Sequence, residues 1–277
     1  EKNLLVYDAI NKILIKNKIL APKLISENYS KNFIEIQDFG TQTIFQKLKK
    51  KNSKKYHIYK KIIFLLKRLQ LIKEKKIKNF LNDEYLIPEY SQKIILKEAR
   101  LYSDWYASSK LSKKKYLKFK TKYNQIIKNL IKKIQLKNNV FVHRDFHISN
   151  LMLVKKKIGV IDSQDALIGN KAYDLASLID DVRFKTSKKL KKKIFNLYLK
   201  NQKNLDIKKF KNDFDIISVL RNLKIIGIFT RLAVRDDKKN YLRLIPHAKD
   251  LIKLRTDNNN LFYDLTNLLN KTFYENR

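Results

Sequence analysis

The stretch Phe141-Val-His-Arg-Asp-Phe-His-Ile-Ser-Asn150-Leu-Met-Leu-Val154, followed by Lys155-Lys156-Lys157 and then Ile158-Gly-Val-Ile-Asp162, decides how the rest of the chain is read. It starts as the end of an apolar strand and passes through a polar loop. It resumes as two short apolar runs, Leu151 to Val154 and Ile158 to Ile161. Two β-rich runs on either side of a charged turn predict a hairpin. Such a hairpin holds Asp145 and Asn150 at one end and returns Asp162 beside them.

Those three side chains are what phosphoryl transfer from a nucleotide requires. One carboxylate, Asp145, orients and accepts the proton of an attacking hydroxyl. An amide oxygen and a second carboxylate, Asn150 and Asp162, hold Mg²⁺ on the phosphates. The pattern His143-Arg144-Asp145-x-x-x-x-Asn150 matches the catalytic-loop signature of kinases, with Asp162 in the position of the metal-binding aspartate. The competing reading is a surface loop in an Asn-rich chain. Four fixed positions, then a carboxylate after an apolar strand, weigh against it.

Composition narrows the setting. A chain of 277 residues with 44% apolar side chains buries one large core or two modest ones. Lys or Asn interrupts every apolar run well before the roughly 20 residues that a bilayer span needs, so no membrane partner is expected. Absence of cysteine excludes disulfides and thiolate chemistry and agrees with a reducing, cytoplasmic location. The balance of 63 basic against 26 acidic residues gives a net charge of +37. Lys runs at Lys113 to Lys115, Lys155 to Lys157 and Lys188 to Lys193 are scattered and accompanied by excess Asn and Ile. This pattern points to a general Lys/Asn/Ile bias and not to a specific nucleic-acid partner, although the field draws anionic ligands such as nucleotides.

Apolar residues at helical spacing predict a helix from Leu4 to Ile19, stopped at Ala21-Pro22, and Lys31 to Gln37 reads as a strand. Asp38-Phe39-Gly40 copies the metal motif of protein kinases but lies before the catalytic loop, where that motif never stands. Gln37, Asp38 and Phe39 are instead read as a hinge whose backbone groups meet an adenine edge. Further helices are expected over Tyr56 to Ile77, from Pro88 through Trp105, and over Lys113 to Leu136. Trp105 and Tyr106 are read as core aromatics in preference to a sugar-stacking platform. Ser163 to Gly169 reads as a polar segment leading into a helix from Ala172 to Arg183. Asp174 falls in that helix's first turn, where it suits the helix N-terminus or braces the catalytic loop through backbone N–H groups or Arg144. Helices complete the chain at about Lys188 to Asn201, Phe210 to Val234, Tyr241 to Leu254 and Leu261 to Tyr274.

None of the four glycines, Gly40, Gly159, Gly169 and Gly227, builds a phosphate-cradling loop with its neighbours, and no strand lysine precedes a helix to hold the α- and β-phosphates. The chain begins at Glu1 and not at Met, so these parts are expected upstream of it. The alternative is a catalytically impaired pseudokinase or binding module.

His143-Arg-Asp-Phe-His-Ile-Ser-Asn150, Val160-Ile-Asp-Ser-Gln-Asp-Ala-Leu167 and Tyr173-Asp-Leu-Ala176 together resemble the aminoglycoside phosphotransferase superfamily. Within it, Gln37-Asp-Phe-Gly40, Ile87-Pro-Glu-Tyr90 with Asp104-Trp-Tyr106, and Arg221 to Arg231 look like the bacterial anomeric N-acetylmuramate/N-acetylglucosamine kinases. The resemblance implies an α+β, protein-kinase-like two-lobed fold, with residues 1–38 the remnant of a truncated small lobe and residues 39–277 a mainly helical catalytic lobe. It implies ATP and Mg²⁺ as cofactors and an amino-sugar hydroxyl as acceptor, with choline- and aminoglycoside-type acceptors as alternatives. It makes Asp145 the catalytic base, flanked by His143 and Arg144, with Asn150 and Asp162 on the metal and the Gln37 to Phe39 backbone on adenine. Gln164 and Asp165 fall where acceptor contacts are expected, and Asp174 where a brace is. Relatives usually carry Phe where this chain has Ser163.

Overall fold

The computed structural model describes residues 2–50 and 54–273. In chain order these form helix α1 (Lys2–Lys16), strands β1 (Leu24–Asn28) and β2 (Phe33–Ile36), and helices α2 (Ile44–Lys49) and α3 (Lys55–Gln70). Strands β3 (Lys76–Lys78) and β4 (Glu84–Leu86) follow, then helices α4 (Gln92–Leu101) and α5 (Lys113–Lys132). Four strands come next: β5 (Asn138–Val142), β6 (Leu151–Val154), β7 (Lys157–Val160) and β8 (Leu167–Asn170). Helices α6 (Tyr173–Ile179), α7 (Lys188–Lys200), α8 (Ile207–Arg235), α9 (Ile245–Thr256) and α10 (Tyr263–Phe273) complete the fold. It is an α+β architecture with four two-stranded antiparallel sheets: β1 with β2, β3 with β4, β5 with β8, and β6 with β7. No helix of the described residues is long and apolar enough to cross a membrane.

The chain divides into two compact units, each assembled from two stretches: Glu1–Tyr90 with Lys137–Leu205, and Ser91–Leu136 with Asp206–Arg277. In the first, the apolar stripe of α1 (Ala9, Ile10, Ile13, Leu14) is fully buried. Helix α2 opens with a capping box, in which Thr43 accepts the Gln46 N–H and Gln46 accepts the Thr43 N–H. Helix α6 is buried along its whole length, which explains why its sequence shows no amphipathic alternation.

In the second unit α4 runs directly into a π-helical turn, Tyr102–Ala107. The α8 backbone passes very close to that junction, since a Cβ on Gly227 would sit 2.2 Å from the Leu101 carbonyl carbon. Only glycine permits this approach. Beside the crossing Lys224 pairs with Glu98 at 2.8 Å in a largely dry setting. Tyr102, Tyr106, Phe119, Tyr123 and Phe273 form one ring cluster, so Tyr106 is a core aromatic, while Trp105 is part-exposed. The Asp213 carboxylate caps the end of the α5 segment by accepting the N–H groups of Gln135 and Leu136.

Several element boundaries differ from the sequence reading. The helix expected to reach Ile77 ends at Gln70, and Ile77 lies in β3. Apolar Ile72 and Ile77 prolonged the helical period by coincidence, since one is buried beneath a loop and the other belongs to a strand. Pro88 opens no helix. Its carbonyl accepts the Ile168 N–H, and the helix starts later, where the Ser91 hydroxyl accepts the Ile94 N–H. The segment Ser163 to Gly169 ends in β8, whose pairing with β5 was hidden by its shortness. Strand β1 was not expected from the sequence at all, because its outward-facing residues give no apolar alternation.

Candidate functional site

The candidate residues gather in the first unit, around the segment that joins β5, β6 and β7. Strand β5 delivers the chain to His143, which is completely buried. Its ring Nε2 donates to the Ile161 carbonyl at 3.1 Å, tying the start of the catalytic loop to the residue before Asp162. Burial pushes the His143 pKa down despite the nearby Asp145 and Asp162 carboxylates. The imidazole is therefore neutral at pH 7, as a donor to a carbonyl with an apolar surround should be.

Arg144 takes a left-handed backbone conformation, φ 75°, which costs a non-glycine residue about 1–3 kcal/mol. Asp174 compensates it. Its two carboxylate oxygens accept the backbone N–H groups of His143 (2.8 Å) and Arg144 (3.0 Å). The Arg144 side chain turns elsewhere and meets Asp165 at 3.3 Å. The turn so held presents Asp145, whose carbonyl accepts from the His147 N–H at 2.9 Å and from Asn150 Nδ2 at 3.2 Å.

A single 3₁₀ turn, Ile148–Asn150, carries the chain into β6. The β6–β7 register pairs Leu151 with Val160, and the Ile161 N–H bonds back to the Asn150 carbonyl. The hairpin thus sets Asp162 beside Asn150, with Asn150 Nδ2 3.3 Å from Asp162 Oδ2. Asp162 is itself left-handed, φ 63°, and its other oxygen accepts from Gln164 Nε2 at 2.9 Å. Asn150 thus links the Asp145 carbonyl to Asp162 and through it to Gln164, while Arg144 pairs with Asp165, and His143 and Asp174 are buried.

This donor set fits a magnesium ion. A carboxylate and an amide already in contact can converge on one cation, the amide presenting its oxygen after a half-turn of its plane. Among the described residues no three His, Asp or Glu side chains converge. Mg²⁺ needs no such trio, because it keeps waters and takes phosphate oxygens in addition to one or two protein groups.

Gln37, Asp38 and Phe39 lie at the end of β2 and beyond it. The Asp38 carboxylate accepts the Gly40 N–H at 2.7 Å and closes the turn. The Phe39 ring packs on Gly159 of β7, where an added Cβ would come within 2.6 Å of Phe39 Cε2. The Leu153 N–H bonds to the Gln42 carbonyl and the Val160 N–H to that of Leu20, so the segment around Phe39 and the hairpin are joined by backbone as well as by the ring.

Two further residues belong to this neighbourhood and were not selected from the sequence. Ser163 is fully buried, and its hydroxyl donates to Asn11 Oδ1 on α1 at 2.7 Å. Tyr7, one turn earlier on α1, has its hydroxyl pKa raised by burial and by the nearby Asp162 carboxylate. The only sequence signal was a polar Asn11 on the apolar stripe of α1.

Residues 19–206 match the model of the phosphotransferase enzyme family. A protein of Neisseria meningitidis named N-acetylmuramate/N-acetylglucosamine kinase is 28% identical over 238 residues, covering 84% of this chain and 69% of that protein. A protein of the same name from Pseudomonas aeruginosa is 27% identical, covering 81% of this chain and 65% of its own length. Among solved structures, a choline/ethanolamine kinase family protein from Mesorhizobium loti shares the fold with a TM-score of 0.63 at 9% identity, covering 96% of this chain and 82% of that one. The gentamicin complex of an aminoglycoside phosphotransferase, APH(2")-IIa, does so with a TM-score of 0.59 at 15% identity, over 87% and 80% of the two chains. The fold is therefore the kinase-like one of these enzymes, and the chain belongs to the phosphotransferase enzyme family, as a small-molecule phosphotransferase.

Proposed function

We propose that the protein transfers the γ-phosphoryl group of ATP to a hydroxyl of an amino sugar, N-acetylmuramate or N-acetylglucosamine. The observation that carries this reading is the Asn150 amide, which donates both to the Asp145 backbone carbonyl at 3.2 Å and to the Asp162 carboxylate at 3.3 Å. The amino-sugar acceptor follows the names of the curated relatives.

Asp145 is the base. It orients the acceptor hydroxyl and takes its proton as the oxygen attacks, a contribution of about 10²–10⁴-fold in rate. Asn150 and Asp162 hold Mg²⁺, which when bound neutralises charge on the phosphates. The neutral, buried imidazole of His143 and the buried carboxylate of Asp174 position this loop and do not touch the reacting atoms. Gln164 steadies Asp162, and Asp165 holds Arg144 at the edge where an acceptor enters. The backbone of Gln37 to Phe39 meets the adenine edge, with the Phe39 ring fixed by Gly159. Residues 1–38 belong to the nucleotide lobe.

The test is Mg²⁺- and ATP-dependent phosphorylation by the protein. The acceptors are N-acetylmuramate, N-acetylglucosamine, choline and kanamycin. Phosphorylation of either amino sugar, lost in Asp145→Asn, supports the reading. Turnover with choline or kanamycin alone would replace the acceptor class, and no turnover with any acceptor would overturn the assignment.

A further inference from the structure

The β6–β7 hairpin has two faces. Register pairs Met152 with Gly159, on the side that meets Phe39, and Leu153 with Ile158. Because side chains alternate along a strand, Leu153 and Ile158 point to the opposite side. There they form part of the floor of a second cavity of about 780 Å³. Ile44 of α2 and Ile58 of α3 complete the apolar floor.

Around this floor stand Lys47, Lys50, Lys54, Lys61, Lys155 and Lys156. Lysine makes up half of the lining residues, in a chain where Lys and Arg together number 63 of 277. Among the described residues no acidic side chain lines the cavity. Other lysines of this protein find carboxylates, as Lys12 does with Asp8, Lys191 with Asp180 and Lys224 with Glu98. None of these six does so among the described residues.

The backbone adds an independent observation. Lys155 and Lys156 are both left-handed, φ 44° and 69°, and link the paired residues Val154 and Lys157. A two-residue turn of this kind is normally filled by Asn-Gly or Asp-Gly. Two lysines there carry a steric cost that Asn or Gly would avoid. Both residues line the cavity.

We propose that this cavity is a second anion site, separate from the Asp145–Asp162 cluster, and that it binds a small, multiply phosphorylated ligand. Clustered, unneutralised ammonium groups raise the local potential and favour several negative charges close together. The volume lies within the range of small-molecule pockets, about 300–1,000 Å³. Its concave, apolar floor fits a compact ligand better than a nucleic-acid backbone tracking over a surface. The polyphosphate is inorganic or carried by a nucleoside, and the two sources are separable by experiment.

The protein is titrated calorimetrically with inorganic tripolyphosphate and, in a second arm, with a nonhydrolysable ATP analogue. The variants are Lys155→Glu/Lys156→Glu and, as a charge-matched control, Lys113→Glu/Lys114→Glu on the other unit. Saturable tripolyphosphate binding that weakens at least about tenfold in the turn variant, while the control changes less than about twofold, supports the site. Phosphotransfer at saturating ATP and acceptor is unchanged in the turn variant, which also shows that it is folded. A second equivalent of the ATP analogue, lost in the turn variant alone, identifies a nucleoside polyphosphate. Its absence alongside tripolyphosphate binding identifies an inorganic one. Equal weakening in both variants reduces the effect to net charge and overturns the proposal. So does absence of saturable tripolyphosphate binding, or turn-dependent binding of a short single-stranded RNA that tripolyphosphate does not displace.

Discussion

Ser163 Oγ donates to Asn11 Oδ1 at 2.7 Å across 152 positions of chain, fastening helix α1 to the residue that follows Asp162. Asn11 Nδ2 in turn donates to the Pro22 carbonyl at 3.2 Å, so the loop after Asp162, α1 and the segment after that helix share one buried chain of hydrogen bonds. Ser163→Ala leaves the Asn11 oxygen without its donor. It should cost about 2 kcal/mol of stability, the penalty of an orphaned buried acceptor. Thermal or urea unfolding measures it. Ser163→Ala/Asn11→Leu should recover part of the loss, whereas additive losses would show that the bond contributes nothing of its own.

Asp174 supports a strained stretch of backbone. Asp174→Ala removes the acceptor for two buried N–H groups and releases the left-handed Arg144. The expected loss is about 3 kcal/mol, since bonds to an ionised partner are stronger than neutral ones. Asp174→Asn, which keeps one acceptor oxygen, should lose less. Equal stability of Asp174→Ala and the parent protein would remove the bracing role.

Asp145 and Asp162 should separate kinetically. Asp145→Asn is expected to lower kcat by about 10²–10⁴-fold while nucleotide affinity stays within about threefold. Asp162→Asn should abolish the dependence of nucleotide affinity on Mg²⁺. Calorimetry with ADP, with and without Mg²⁺, reads the second effect independently of turnover.

Gly159 fixes the place of Phe39. In Gly159→Ala the new methyl would lie 2.6 Å from the ring, so the ring must move. Nucleotide affinity should fall about threefold to tenfold, with kcat at saturating ATP little changed. Gly159→Ala/Phe39→Leu should recover some of the affinity. An unchanged ADP affinity in Gly159→Ala would detach the Phe39 segment from nucleotide binding.

Acid stability carries the mark of His143. Burial lowers its pKa in the folded protein from 6.5. Below that value the unfolded chain takes up a proton that the folded one resists. Its contribution is therefore complete above pH 6.5 and declines as pH falls toward the folded pKa. A His143→Gln variant, less stable at pH 8, should lose less melting temperature than the parent between pH 7.5 and 5. Parallel curves would exclude His143 as a source of acid sensitivity.

Most of the candidate site could be named from the sequence because its members are near neighbours, from His143 to Asn150 and from Asp162 to Asp165, in a pattern with a chemical reason. The hairpin was legible for the same reason, since Leu151 to Val154 and Lys157 to Val160 pair locally. What distance in the chain obscured was the support. Asn11 gives no sign that its partner is Ser163, and the Lys47 to Lys156 cavity draws on α2, α3 and the hairpin together. Short strands were the other loss. Strands β3 and β8 span only three and four residues, too few for alternation to register, and β8 is buried on both faces.

The pairing of Glu98 with Lys224 spans 126 residues. At a synthesis rate of roughly 5–20 residues per second, α4 waits about 6–25 seconds for the helix against which it packs. During that interval all of β5 to α7 is made, so the first unit acquires its last stretch while the second is still half finished. The nascent chain thus carries an amphipathic α4 and α5 without their partner. This is the stage at which a chaperone would find exposed apolar surface, and at which a slow stretch of codons would lengthen the exposure.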